Sequence, residues 1–236
     1  FEEFATNVRR ELPLIPDASI DVIVSNCVLN LVRPEDKKQL FAEMYRVLKR
    51  GGRIAISDIV SDEAVPDHLA KDADLWSACV SGSFQEEDFL RAFEDAKFHG
   101  IQIEELRTEA YQTVEGIEFR AITVTAYKGK EGPCIERNHA VIYRGPWKQV
   151  VDDDGHTLER GARMAVCDKT FKLYSQAPYA GQFILVPPRE EVGLENADGF
   201  DCSRDHKRHP RETKGMEYKV TQISAALCGP ESDCCP

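Results

Sequence analysis

The chain has 236 residues and a formal net charge of -11 at pH 7, which is long enough for one large or two small domains with a sizeable core. The negative charge argues against a nucleic-acid partner, because phosphates would be repelled over most of the surface. No run approaches the ~20 apolar residues of a membrane span and no signal peptide is recognisable, so we expect a cytoplasmic protein.

The first clear pattern is a strand, a helix and a second strand. Residues 22–25 are a β-branched run typical of a buried parallel strand. A helix is predicted from Pro34, with Gly51-Gly52 expected to end it, and residues 53–59 form the second strand. This order predicts a right-handed βαβ unit.

The end of the first predicted strand is the candidate ligand site. Open α/β sheets bind ligands outside the carboxyl ends of their strands, which makes Asn26, Cys27 and Val28 candidate cofactor contacts. A buried parallel strand also needs neighbours on both sides, and residues 1–18 supply none. We therefore expect the amino-terminal half of the sheet, with any glycine-rich nucleotide loop, to lie outside this chain.

The rest of the first domain is predicted from apolar spacing and capping residues. A helix is expected over residues 67–79, ended by Gly82, and a capping box at Ser83 and Glu86 starts another helix with three apolar residues inward, Phe89, Leu90 and Phe93. Strands are predicted at residues 101–103 and 121–127. Apolar and polar residues alternate in the second strand, so we expect it to lie near an edge of the sheet.

A change of amino-acid composition at residues 128–133 marks a predicted domain boundary, because this segment is charged and contains Gly and Pro. Residues 1–127 form the first predicted domain. Residues 128–188 are predicted to be a small α+β or mostly β domain with strands at 140–143, 149–151 and 164–166 and a helix at 169–175. Residues 189–236 are polar, so we expect a partly disordered tail whose basic stretch, 204–214, is a solvated connector.

The eight cysteines are the most informative part of the composition. In a reducing compartment such thiols stay free for metal binding or catalysis. Their spacing contains no pair of Cys-x-x-Cys motifs, so any shared site must be assembled from distant parts of the sequence. They are Cys27, Cys79, Cys134, Cys167, Cys202, Cys228, Cys234 and Cys235.

Several motifs together resemble one enzyme family. They are Ser25-Asn-Cys-Val-x-Asn-Leu31, Arg46-Val-Leu-Lys-x-Gly-Gly-Arg53, Leu75-Trp-x-x-Cys79-x-x-Gly82, and Cys134 followed by Ala140-Val-Ile-Tyr-Arg-Gly145. Over about residues 11–186 the chain resembles the arsenite S-adenosylmethionine methyltransferases of the class I methyltransferase superfamily. The resemblance implies an α/β fold, with the carboxyl-terminal half of a Rossmann-like sheet followed by the small domain, 128–188, which would bind arsenic, and a cysteine-containing tail.

The resemblance also implies a reaction, in which S-adenosylmethionine methylates trivalent arsenic as a means of arsenic detoxification. Three thiolates would hold the arsenic, two of them at Cys79 and Cys134, with the third upstream of this chain. Soft arsenic favours sulfur ligands, and three of them leave its lone pair free to attack the sulfonium methyl. The cofactor would contact Leu12 together with Asn26, Cys27 and Val28.

The same resemblance implies redox chemistry and partners. Cys27 resembles the residue beside a cysteine pair that is oxidised to a disulfide when the arsenic product is returned to the trivalent state. Thioredoxin or glutathione would then reduce the disulfide. Arsenite or its glutathione conjugate would be the substrate.

Plainer interpretations remain open at this stage. Cys79 could be a small buried core residue, Cys167 is expected to be structural, and Cys234-Cys235 either deliver arsenite or are incidental. One alternative function is a class I methyltransferase of a small organic molecule, which has no use for Cys134. Another is a non-catalytic thiol protein that sequesters arsenite or another soft metal.

Overall fold

The computed structural model describes residues 13–203, 205–215 and 218–219. The chain divides into two compact units, Phe1–Glu131 (unit 1) and Gly132–Pro236 (unit 2). None of the helices in the described part of the chain has the length and apolarity that a bilayer crossing requires.

Unit 1 is a mixed β-sheet with helices packed against it. Its strands are β1 (Ile20–Asn26), β2 (Leu48–Ser61), β3 (Phe84–Gln85), β4 (His99–Leu106), β5 (Gln112–Val114) and β6 (Ile117–Tyr127). Its helices are α1 (Pro34–Val47), α2 (Asp67–Ala70), α3 (Ala73–Ser77) and α4 (Glu86–Asp95), with a 3-10 turn at Leu29–Leu31.

The sheet order is β1-β2-β6-β4, with β3 paired to β2 and β5 to β6. Strands β1 and β2 are parallel, as the strand-helix-strand pattern predicts, and β6 is antiparallel to both of its long neighbours. The prediction that residues 121–127 lie near an edge is wrong, since β6 is central. Its alternation reflects burial of Ile122, Val124 and Ala126 in the main core of unit 1.

Strand β1 is less buried than its sequence predicts. Val22 and Val24 expose 44% and 73% of their surfaces, so one face of this strand is not covered by the described residues. The other face contributes Ile20 and Ile23, which pack against the main core cluster of unit 1. The predicted burial therefore holds for only one face of β1.

Helix α1 begins at Pro34 as predicted but ends at Val47, four residues before the glycine pair. Leu48 adopts an extended backbone and is fully buried, so core packing ends the helix and the prediction for Gly51-Gly52 is wrong. Gly51 does take a left-handed conformation, with φ +80°. It lies within β2, where the pairing with β1 shifts register.

Two capping residues change the predicted helices after β2. Asp72 accepts hydrogen bonds from the amides of Asp74 and Leu75, both at 2.9 Å, so the predicted helix over residues 67–79 is split into α2 and α3. The predicted capping box does not form, since Gln85 precedes α4 and makes no capping bond with its side chain. The inward packing of α4 is confirmed, with Phe89 and Phe93 almost fully buried and Leu90 packed against the core.

Lys37 is an unusual charged residue on the buried face of α1. Its ammonium donates a hydrogen bond to the Gly82 carbonyl and lies 4.3 Å from the centre of the Phe84 ring. Burial lowers the pKa of Lys37 to about 8, although the Asp58 carboxylate opposes the shift. Lys37 thus joins α1 to the segment between α3 and β3.

Unit 2 consists of short antiparallel strands around a small core. Its strands are β7 (Ala140–Tyr143), β8 (Gln149–Val151), β9 (Thr157–Glu159), β10 (Arg163–Ala165) and β11 (Phe183–Val186), and its helices are α5 (Asp168–Tyr174) and α6 (Pro210–Lys214). One sheet has the order β10-β7-β11, and β8 pairs with β9. The strands and the helix predicted between residues 140 and 175 are confirmed within a residue or two.

Several described residues between 189 and 215 are hydrogen-bonded to earlier parts of unit 2, contrary to the loose order that their polarity predicts; the amide of Phe200 donates to the Cys134 carbonyl and that of Arg208 to the Arg163 carbonyl. Arg208 is buried, and its guanidinium pairs with Glu136 at 2.7 Å and with Glu212 at 3.0 Å. The interpretation of the basic stretch as a solvated connector is therefore wrong at Arg208. Cys228, Cys234 and Cys235 lie outside the described residues.

Two ion pairs in unit 2, one with the buried Arg208 and one exposed, allow the stability cost of losing each kind to be compared. Glu136→Gln should lower the free energy of unfolding by on the order of 2 kcal/mol, because it leaves a buried guanidinium short of a charged acceptor. Glu159→Gln breaks an exposed pair with Lys207 and should cost less than ~1 kcal/mol. Urea unfolding of both variants measures the difference, and equal losses would contradict this account.

The second test concerns the pH dependence of stability. The pKa of Lys37 is about 8 in the folded chain and 10.5 ordinarily, so its charged form destabilises the fold below pH 8 and this cost disappears as the pH rises toward 10.5. The stability of the wild type relative to Lys37→Met should therefore increase between these values. Urea unfolding across this range, with the exposed Lys38→Met as control, measures it. A difference that is independent of pH refutes the burial argument.

Candidate functional site

Asp58 joins the carboxyl ends of β1 and β2. It is 2% exposed, and its two carboxylate oxygens accept the amides of Leu29 and Ile59, each at 2.9 Å. Burial raises the pKa of Asp58, while these amide hydrogen bonds oppose the rise. The sequence analysis did not single out Asp58, although a lone carboxylate in an apolar strand is a detectable signal.

Asn30 connects this turn to the segment after α3. Its buried amide nitrogen donates to the carbonyl of Ile59 at 2.6 Å and to that of Cys79 at 3.0 Å. Gly82 allows the close approach, since a Cβ at this position would lie 2.0 Å from the Asn30 carbonyl oxygen. The turn that carries Cys27 and the segment that carries Cys79 are therefore held together.

Cys27 and Cys79 are neighbours at the carboxyl end of β1. We call the site formed by these two residues the corner. Both adopt left-handed backbone conformations, with φ of +54° and +61°, which non-glycine residues rarely take. The thiol of Cys79 lies 3.7 Å from the Cys27 carbonyl oxygen, to which it donates. Burial, followed by the Asp58 carboxylate and Cys27, raises the pKa of the Cys79 thiol. The corner thus presents two thiols at the edge where α/β sheets bind ligands.

The predicted cofactor contacts lie at the same edge. Asn26, Cys27 and Val28 are all exposed, and the Asn26 side-chain oxygen lies 3.3 Å from the Cys27 sulfur. Their main-chain and side-chain groups are thus accessible to a ligand beyond the end of β1, which fits the predicted role. Leu12, the remaining predicted contact, lies outside the described residues.

A second group of thiols occurs in unit 2. The sulfurs of Cys134, Cys167 and Cys202 all lie within 4.8 Å of one another. Cys167 is 1% exposed, whereas the other two are half-buried. The burial of Cys167 agrees with the structural role expected for it, but the sequence analysis missed its two thiol neighbours because they are far apart in sequence.

Cys79 and Cys134, the two arsenic ligands implied by the resemblance, belong to different units. Cys79 has Cys27 as its thiol neighbour, and Cys134 has Cys167 and Cys202. The pairing of Cys79 with Cys134 stays a prediction.

A hydrogen-bonded histidine positions the loop that carries Cys202. The ring nitrogens of His156 lie 2.9 Å from the Asp152 carboxylate and 2.7 Å from the Cys202 carbonyl oxygen. Burial lowers the pKa of His156, but these two hydrogen bonds outweigh it and the net shift is upward. Tyr174 donates to the same Asp152 carboxylate at 2.6 Å. His156 is a positioning residue that the spacing of the sequence did not reveal.

Segments of both units match family models. Residues 4–97 match a family model described as a methyltransferase domain. Residues 130–218 match one described as a domain of unknown function, DUF8838.

Individual relatives give a more specific result. An arsenite methyltransferase from Aquipseudomonas alcaligenes is 33% identical over 184 residues, covering 73% of this chain and 53% of the relative. The arsenite methyltransferase of Mus musculus is 28% identical over 241 residues, covering 93% of this chain and 62% of the relative. The chain thus spans between about half and two thirds of the length of these curated relatives.

A solved structure supports the fold. The crystal structure of CrArsM, an arsenic(III) S-adenosylmethionine methyltransferase from Chlamydomonas reinhardtii, matches with a TM-score of 0.50 and 24% identity, covering 82% of this chain and 66% of that one. The chain is therefore similar to arsenite methyltransferases, with a Rossmann-like class I methyltransferase fold in unit 1 and an additional domain in unit 2.

Proposed function

We propose that this chain takes part in methyl transfer from S-adenosylmethionine to trivalent arsenic held by cysteine thiolates, and so in arsenic detoxification. The observation that carries the proposal is the approach of the Cys79 thiol to Cys27 at the carboxyl end of β1, in a relative of the arsenite methyltransferases. Neither thiol is explained by core packing, since Cys27 is exposed and Cys79 is half-buried.

Thiols suit arsenite chemically. Arsenic(III) is soft and prefers sulfur to oxygen ligands. Each As–S bond forms as a thiol displaces a hydroxyl of arsenous acid, and the thiol proton leaves with that hydroxyl as water. Because burial raises the pKa of Cys79, its thiol keeps the proton that this exchange requires. No change of oxidation state is involved in binding.

The residues at the end of β1 would hold the cofactor. Asn26, Cys27 and Val28 are exposed there and would contact S-adenosylmethionine, which supplies an electrophilic methyl group when bound. Asp58 and Asn30 contribute by positioning, because their hydrogen bonds fix the Cys27 turn against the Cys79 segment. Holding reactants in one geometry is a large part of what catalysis of this kind requires.

The remaining roles are also proposals. Cys134 is a second arsenic ligand, on the basis of the resemblance. Cys27 stands beside the cysteine pair that is oxidised when arsenic returns to the trivalent state, and thioredoxin or glutathione restores the thiols. Arsenite, or its glutathione conjugate, is the substrate.

Substitution of the two corner thiols tests the proposal. Cys79→Ser should abolish the formation of methylated arsenic, because a hydroxyl is a poor ligand for a soft ion. Cys27→Ser should also lower it, because Cys27 would contact the cofactor and stand beside the redox pair. The assay supplies arsenite, S-adenosylmethionine and a thiol reductant to the protein as its gene encodes it, and separates the arsenic products by chromatography. Cys134→Ser is measured alongside and should also lose activity.

Ser77→Ala is the matched control, because Ser77 is exposed on α3 close to Cys79 and its hydroxyl bonds only the Asp74 carbonyl among the hydrogen bonds described. It should retain full activity. If Cys79→Ser methylates arsenic as fast as the control, the corner is not the arsenic site. Unchanged methylation of an organic acceptor would then favour a class I methyltransferase of small organic molecules.

A further inference from the structure

The cysteine triad, Cys134, Cys167 and Cys202, is brought together by main-chain hydrogen bonds. The Cys134 carbonyl accepts the amide of Phe200 at 2.9 Å, and the Glu136 amide donates to the Asp198 carbonyl at 2.8 Å. These bonds pair the chain on either side of residue 135 with residues 198–200, two residues before Cys202. Two of the three sulfurs are therefore placed by a short antiparallel pairing.

The third sulfur is placed by the start of α5. The Asp168 amide donates to the Ile135 carbonyl at 2.9 Å, which brings the preceding Cys167 beside Cys134. The Cys167 sulfur accepts the amide of Thr170 at 3.4 Å and lies 3.2 Å from the Thr170 hydroxyl. The backbone thus fixes all three cysteines, so the triad does not depend on an ion for its assembly.

From this geometry we infer that the cysteine triad is a binding site for arsenic(III) within unit 2, in which Cys134 has Cys167 and Cys202 as its fellow ligands in place of Cys79. The inference does not rest on methyl transfer. It assigns to unit 2 the capture of a soft trivalent ion by three sulfurs.

Coordination number favours arsenic over zinc. Structural zinc sites are almost always four-coordinate. Among the described residues, no histidine, other cysteine or carboxylate offers a ligand atom within 4.8 Å of all three sulfurs. Three sulfurs complete the pyramid that arsenic(III) forms. The triad therefore matches the trivalent ion without a further protein ligand.

Charge favours the same ion. Three thiolates and arsenic(III) sum to zero, whereas three thiolates and a divalent metal leave a net negative charge. Burying a net charge is costly, and Cys167 is almost fully buried. The pocket beside Cys167 and Cys202 is lined partly by apolar residues, among them Leu158, Val166 and Phe200. A neutral arsenic trithiolate suits these surroundings.

The binding step balances without a redox partner. Arsenous acid reacts with three thiols to form three As–S bonds and break three As–OH bonds, and three waters leave with the thiol protons. Arsenic stays trivalent throughout.

The direct test leaves the triad as the only cysteines in the full 236-residue chain. This variant carries serine at the other five positions, Cys27, Cys79, Cys228, Cys234 and Cys235. After incubation with arsenite and removal of the excess, intact-protein mass spectrometry should show about one arsenic per chain, and X-ray absorption at the arsenic edge should show three sulfur neighbours. Since this variant lacks both corner thiols, its result is independent of the proposed methyl transfer.

The matched comparison adds Cys202→Ser to that variant, because Cys202 is half-buried and its carbonyl, not its sulfur, bonds His156. Arsenic should be lost while the circular dichroism spectrum is unchanged. If the five-serine variant is unfolded, Cys202→Ser alone should reduce the arsenic bound by the native chain by about one per chain. Retention of arsenic after Cys202→Ser, two sulfur neighbours instead of three, or zinc that excess arsenite does not displace would each overturn the inference.

Discussion

The hydrogen bonds of Asp58 are the constraint on which the candidate site in unit 1 depends. A buried carboxylate is tolerated only when its oxygens are satisfied, and here the amides of Leu29 and Ile59 satisfy them. The turn after β1 must therefore stay against β2. Asn30, one residue further along, then binds the carbonyl of Cys79. The positions of both corner thiols follow from one buried acid and its neighbouring amide.

The two thiol groups differ in ways that suit different tasks. The corner in unit 1 has an exposed Cys27, a half-buried Cys79 and two left-handed backbone positions, and a second reactant can approach it from beyond the strand ends. The triad in unit 2 is more enclosed, since Cys167 is buried and His156 holds the Cys202 loop. Under our two proposals, the corner presents arsenic for methylation and the triad retains it.

The sequence predicted the βαβ unit of unit 1 well, because apolar periodicity reports directly on packing against a sheet. It failed where a single residue competes with that pattern. Leu48 is buried in an extended conformation and ends α1 before the glycines, and the Asp72 carboxylate caps α3 and breaks a helix that the apolar spacing made continuous. Such local competition depends on tertiary contacts, which the spacing of apolar residues in the sequence does not reveal.

The candidate sites show the same limit. Asn26, Cys27 and Val28 could be selected from the end of a predicted strand, a rule that needs only local sequence. The triad could not, because Cys134, Cys167 and Cys202 meet through main-chain pairing between segments more than thirty residues apart. Spacing indicated only that a shared thiol site would have to combine distant segments.

Protection of individual thiols by arsenite is the most direct test of the arsenic site in unit 1. The native chain is alkylated with iodoacetamide with and without arsenite, and each cysteine is quantified by peptide mass spectrometry. Our account predicts that arsenite slows the alkylation of Cys79. Alkylation of Cys79 at the same rate with and without arsenite would contradict it.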